Sequence, residues 1–313
     1  MNERPPESIE RPLESIEKSW GKNVEITLKI IRHGDRDPNT NMLTDFGIDE
    51  TKIRANESGL NKNDFDVVHA IGSTVGPYDE NGRGRAEATA HIYAKEIARG
   101  ENFNTRKTEV LAYDKLKSKV PYDHKAVYNS FLPKNFADLS PKEKAKAGVE
   151  AQGKLVDFVL ALDTPEAEKY KEEGAGSVAY IIKHYQEVAH RLESGKKDLV
   201  PAGMHGTFME FLFQKALIRK DVEGKEIKGF NDLSEIGGQH NVSEAFTIKI
   251  KTDQDGNDEP LVITFDNTNR PAFTKLFLDQ SVTDELSKKY KELHPEIGVG
   301  VLREKNEPAI QTE

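Results

Sequence analysis

The chain has no cysteine. That excludes disulfides, thiolate zinc sites, iron–sulfur clusters and a thiol nucleophile. It also lacks an excess of positive charge: 45 Lys and Arg face 54 Asp and Glu, for a formal net charge of −9. An acidic chain gives no electrostatic reason to bind a polyanion, so nucleic acid is not an expected partner. No run approaches the roughly 18 apolar residues of a membrane span. Met1 to Trp20, MNERPPESIERPLESIEKSW, carries acids and prolines where a secretory signal needs an apolar stretch. The expectations are a cytoplasmic protein with no membrane partner. What is present is length: 313 residues suffice for one large domain or two average ones, with about 75% of the unfolded surface buried on folding.

The opening contains an echo, Arg4-Pro5-Pro6-Glu7-Ser8-Ile9-Glu10 followed by Arg11-Pro12-Leu13-Glu14-Ser15-Ile16-Glu17. Two copies are too few for a solenoid and the prolines oppose a helix, so 1–20 reads as a tail. Val24, Ile26, Leu28 and Ile30 then alternate with polar residues, a strand that ends at Arg32-His33-Gly34. Asp66 to Gly72 reads as a second strand. After a glycine-rich loop, Arg85 to Arg99 reads as a helix with Ala86, Ala90, Tyr93, Ala94 and Ile97 on one face and Gly100 as its stop. The stretch 108–199 is mostly helical, with a capping box and helical proline at Ser140-Pro141-Lys142-Glu143 and a further helix from Asp163-Thr164-Pro165-Glu166. A strand from Leu199 to Met204 ends at His205-Gly206, and Thr207 to Ile218 returns to helix.

Glu244 to Lys251 and Leu261 to Phe265 have strand periodicity and form a hairpin around Asp253-Gln254-Asp255-Gly256-Asn257-Asp258. Glycine comes too early there for a calcium loop, so a turn is expected. Strands alternating with helices predict an α/β three-layer sandwich: a mostly parallel central sheet with helices on both faces, a helical insertion, and a C-terminal β-hairpin at the sheet edge. The domain boundaries read 1–20 tail, 21–305 α/β domain with a helical insertion at about 108–199, and 306–313 tail.

Two of the nine histidines stand apart. His33 and His205 each follow the carboxyl end of a predicted strand, where open α/β sheets place ligands. Around them, Arg32-His33-Gly34, Leu43-Thr44-Asp45-Phe46-Gly47, Arg85-Ala86-Glu87-Ala88-Thr89-Ala90 and Met204-His205-Gly206 resemble, in order, motifs of the histidine phosphatase superfamily, also called phosphoglycerate-mutase-like. The resemblance covers about 24–216. The middle of that span is much longer than in compact members.

The resemblance implies a phosphomonoesterase that needs no cofactor or metal and acts on a phosphorylated small molecule or phosphoprotein. A phosphomonoester is a dianion, and fixed guanidinium groups from Arg32 and Arg85 would neutralise its oxygens better than lysines could. His33 is then the nucleophile that forms a phosphohistidine, and His205 donates to the equatorial oxygens. Arg32-His33-Gly34-Asp35-Arg36-Asp37-Pro38 also fits the R-H-G-x-R-x-P form of the acid-phosphatase branch, making Arg36 a substrate-binding residue. Asn39 stands where the mutase branch has a phosphate-binding asparagine.

The leaving-group acid is where the pattern breaks. The acid-phosphatase branch has aspartate after the second histidine, and this chain has Gly206. The mutase branch has glutamate in an L-x-E context after the R-A-x-x-T-A helix; Leu116-Lys117-Ser118 puts serine there. Asp114, Asp123 and Glu210 remain, with Asp114 favoured. Two other readings stay open: a phosphoglycerate mutase, and a non-catalytic protein that binds a phosphorylated ligand.

Overall fold

The computed structural model describes residues 19–37, 40–101, 103–221, 223–267, 270, 275–298 and 301–302. The echo, most of the 1–20 tail, Asn39 and the 306–313 tail lie outside the described residues. Of the tail, Trp20 bridges to Glu193. Seventeen elements follow in chain order: β1 (Glu25–Arg32), α1 (Asp45–Glu57), β2 (Val67–Ser73), α2 (Arg85–Ala98), β3 (Asn104–Thr108), α3 (His124–Phe131), α4 (Pro141–Ala161), α5 (Pro165–Ala189), β4 (Lys197–Met204), α6 (Phe208–Ala216), β5 (Leu217–Lys220), β6 (Glu226–Lys228), β7 (Ala245–Lys251), β8 (Val262–Phe265), β9 (Lys275–Leu278), α7 (Gln280–Leu293) and β10 (Val301–Leu302).

All ten strands form one sheet in the order β10-β3-β2-β4-β1-β7-β8-β9-β5-β6. Its centre, β3-β2-β4-β1, is parallel; from β7 outward the pairing is antiparallel. Helices cover both faces, giving three layers. On one face Ile31, Val68, Ala70 and Leu199 pack with Ala90, Tyr93, Ala94 and Ile97 of α2 and Ala55 of α1. On the other, Ile26, Leu28, Ile30, Val200, Ala202 and Met204 pack with α4, α5, α6 and α7. The alternation of β1 is what divides it: even positions to 30 face the larger core. Lys29 points the opposite way, buried, with Asp266 2.6 Å away; burial still holds its pKa below the ordinary lysine range.

The hairpin of β7 and β8 forms as expected, with Asp253 Oδ1 accepting from the backbone N–H of Asp255 and Asn257, and Gly256 at φ 89°. It does not lie at the edge. β7 pairs directly with β1, and β9, β5 and β6 extend the sheet beyond β8. The helix expected to Ile218 stops at Ala216, because Leu217 to Lys220 pair with β9 instead. A four-residue strand carries too little periodicity to be seen in sequence. Among the described residues no helix is long and apolar enough to cross a membrane.

Candidate active site

The parallel register of β1 and β4 sets Arg32 opposite Met204, so the two strands release their chains side by side. His33 N–H donates to the Met204 carbonyl at 2.9 Å. The imidazoles of His33 and His205 consequently lie with ring centroids 5.1 Å apart, 61° between planes.

Arg85 reaches the same point by a different route. Gly72 and Gly203 are paired across β2 and β4, and α2 lies directly on them: a Cβ on Gly203 would sit 1.9 Å from Ala86 O, and one on Gly72 2.2 Å from Glu87 Cα. Two glycines therefore let the first turn of α2 approach the strand ends, with Arg85 at its first position. Thr89 fixes this turn to the motif after β1, its hydroxyl donating to Arg85 O at 2.9 Å and accepting from Gly34 N–H at 3.0 Å. Arg85 Nη2 then donates to His205 Nδ1 at 3.3 Å.

Arg32 is held from behind. Its Nη1 donates to the His240 carbonyl, and its side chain lies over Gly206, where a Cβ would come within 2.9 Å of Arg32 Nε. This accounts for glycine after the second histidine: a larger residue would displace Arg32. Arg36 is exposed at the rim, bonded to Asn41, with its charge acting on Arg32, Arg85 and His205.

The proton positions follow from the partners. The Gly34 carbonyl can only accept, so His33 Nδ1, 2.8 Å away, carries the proton and Nε2 keeps its lone pair. Guanidinium can only donate, so neutral His205 accepts at Nδ1 and holds its proton on Nε2. Burial, and after it the cations around, keep both rings neutral: His33 is well below the usual imidazole range, from burial, His205, Arg85 and Arg32, and His205 is driven to about 3, from burial, Arg85, Arg32 and Arg36. Arg32 Nε, Arg85 Nε and Nη1, and His205 Nε2 are buried with no hydrogen-bond partner among the described residues. An acceptor-rich anion would satisfy all of these donors at once.

The candidate acids fare differently. Glu210 is 1% exposed and committed: it accepts from Thr207 N–H at 2.8 Å, His240 N–H at 2.9 Å and His240 Nδ1 at 3.0 Å. Burial alone would raise it, but His240 and the Arg32 charge outweigh burial and hold it at about 2. Both its oxygens are engaged and its charge is stabilised where it stands, which speaks against Glu210 as the proton donor. Asp123 is the exposed N-cap of α3, accepting from Ala126 N–H at 3.0 Å. Asp114 is exposed on a turn over Tyr113–Lys115; among the described residues no hydrogen bond or ion pair ties it to Arg32, His33, Arg85 or His205.

Tyr113 is the residue the sequence did not single out. Its ring stands edge-on to His205, centroids 5.0 Å apart at 86°, and its hydroxyl interacts with Arg85. The triplet that reaches the pocket after β3 is Leu111-Ala112-Tyr113, not Leu116-Lys117-Ser118. The N–H groups of Lys117 and Ser118 turn away to Glu173, at 2.6 and 2.7 Å.

Each of the four motifs lies on the element that the histidine phosphatase resemblance implies: the ends of β1 and β4 and the starts of α1 and α2. No family model and no curated protein matches the chain. Similar solved structures include a mycobacterial glucosyl-3-phosphoglycerate phosphatase, 11% identical with TM-score 0.41 over 77% of this chain and 98% of that one. Others are phosphoserine phosphatase of Entamoeba histolytica in complex with 3-phosphoglyceric acid (13%, TM-score 0.29, 79% and 96%) and the product of an open reading frame of Mycobacterium tuberculosis (14%, TM-score 0.35, 78% and 98%). At these identities and TM-scores the likeness bears on neither substrate nor residue roles.

Proposed function

We propose that the chain is a phosphomonoesterase of the histidine phosphatase type, acting through a phosphohistidine on His33. The observation that carries this reading is the ring of buried, unpartnered donors on Arg32, Arg85 and His205 beside the His33 ring. A phosphoryl group presents tetrahedral oxygens to such donors and its phosphorus to the free His33 Nε2 lone pair. Because little covalent assistance is needed in phosphoryl transfer, positioning and charge neutralisation supply most of the rate. Arg36 adds charge at the rim, and Tyr113 and His124 border the pocket, Tyr113 against His205 and His124 within the field of Arg36.

Hydrolysis of p-nitrophenyl phosphate tests the reading. The wild-type chain is expected to turn over and to trap an acid-labile, alkali-stable phosphoenzyme, both lost in His33→Ala. A wild-type chain that binds inorganic phosphate without turnover would replace this reading with that of a non-catalytic phosphate-binding protein.

A further inference from the structure

Resting on the phosphatase reading above, we propose that the Tyr113 hydroxyl delivers the proton to the leaving oxygen. Three observations meet here. The ring stands edge-on to His205 at 5.0 Å, yet Tyr113 remains 43% exposed, so it borders the buried histidine and still reaches solvent. Its hydroxyl interacts with Arg85. A guanidinium has donors only, so the phenolic oxygen accepts and its own hydrogen is left to be given away. Finally, the three carboxyls considered as the acid are engaged or exposed: Glu210 is ionised and bonded to His240, Asp123 caps α3, and Asp114 is exposed with no tie to the site.

The step balances. His33 Nε2 forms the N–P bond while the P–O bond to the leaving group breaks; that electron pair goes to the leaving oxygen, which takes the Tyr113 proton and departs as an alcohol. The tyrosinate is stabilised by the Arg85 cation. It then removes a proton from the water that attacks phosphorus, the N–P pair returns to His33, and phosphate leaves with Tyr113 protonated again.

Tyr113→Phe keeps the ring against His205 and removes only the hydroxyl. The readout is kcat/KM on two esters, p-nitrophenyl phosphate and β-glycerophosphate. The nitrophenolate leaves without a proton and the alkoxide cannot. The variant is expected to lose on the order of 10²-fold or more on β-glycerophosphate and at most a few-fold on p-nitrophenyl phosphate, with unchanged sulfate affinity showing an intact pocket. Equal losses on both esters, or weakened sulfate binding, would make Tyr113 a phosphate contact and overturn the proposal; so would no loss on either. A wild-type chain that turns over neither ester sinks the phosphatase reading itself, a result separable from these.

Discussion

His33 and His205 are neutral at neutral pH for a reason that a bound dianion reverses. Burial and nearby guanidinium groups disfavour the imidazolium form, strongly enough to place His205 at about 3. An anion seated among the same donors supplies opposite charge and raises the His205 value, while His33 Nε2 keeps its lone pair toward the bound group. Protons are then taken up on binding over the window between the free and bound values, so affinity for an anion that keeps its own charge must rise as pH falls. Sulfate binding is expected to tighten between about pH 7 and pH 5, and calorimetry in buffers of different ionisation enthalpy should register net proton uptake. Affinity flat over that range, with no proton exchange, would mean that His205 does not charge on the bound anion. At this scale Arg32, His33, Arg85 and His205 were legible because each sits in a motif at a strand or helix end. Tyr113 was not, since only the turn after β3 decides which residue swings over His205. Nor was the commitment of Glu210, whose partner His240 comes from a remote loop.

Among the elements, α2 carries the most responsibility for so short a helix, because its first residue is a member of the site and its first turn rests on two strand glycines. Gly203→Ala would place a Cβ 1.9 Å from Ala86 O, a backbone atom that cannot swing aside. The variant is expected to lose about 1–3 kcal/mol of stability in denaturant melts and, as Arg85 shifts with the helix, to bind sulfate more weakly. Lost stability with unchanged sulfate affinity would show that Arg85 is not positioned by this packing. β1, β4, α2 and the β7–β8 hairpin could be read from periodicity and punctuation. β5 could not: Leu217 and Ile218 continue the apolar pattern of α6 in either conformation, and the pairing of Leu217 with Leu278 that decides between them lies far along the chain. The short β6 and β9 leave no more trace, and without them the hairpin falls at an edge on paper.

For the molecule as a whole, an acidic chain of net charge −9 concentrates three arginines around one crevice, so local field rather than total charge governs what enters. Not every buried charge belongs to that site. Asp198, on β4 at the opposite end of the strand from His205, is 5% exposed with Oδ1 unpartnered; burial first and Asp66 next raise it to about 6. The sign follows. Below 3.8 the carboxyl is protonated folded or unfolded, and as pH rises to about 6 the unfolded chain loses the proton first, so the folded state is penalised above that window. Asp198→Asn is therefore expected to stabilise the protein by roughly 1–3 kcal/mol at pH 7 and hardly at all at pH 4, read from melting temperatures at the two values. A gain equal at both would assign the effect to something other than ionisation.

The pairing of β1 with β4 has a consequence for how the protein is born. Arg32, His33 and Arg85 leave the ribosome well ahead of His205, with 120 residues separating Arg85 from its imidazole partner. At roughly 5–20 residues per second, that interval is about 6–24 s. For that time β1 and β2 lack the strand that lies between them, so Arg32 and Arg85 cannot be drawn to one point until β4 has emerged.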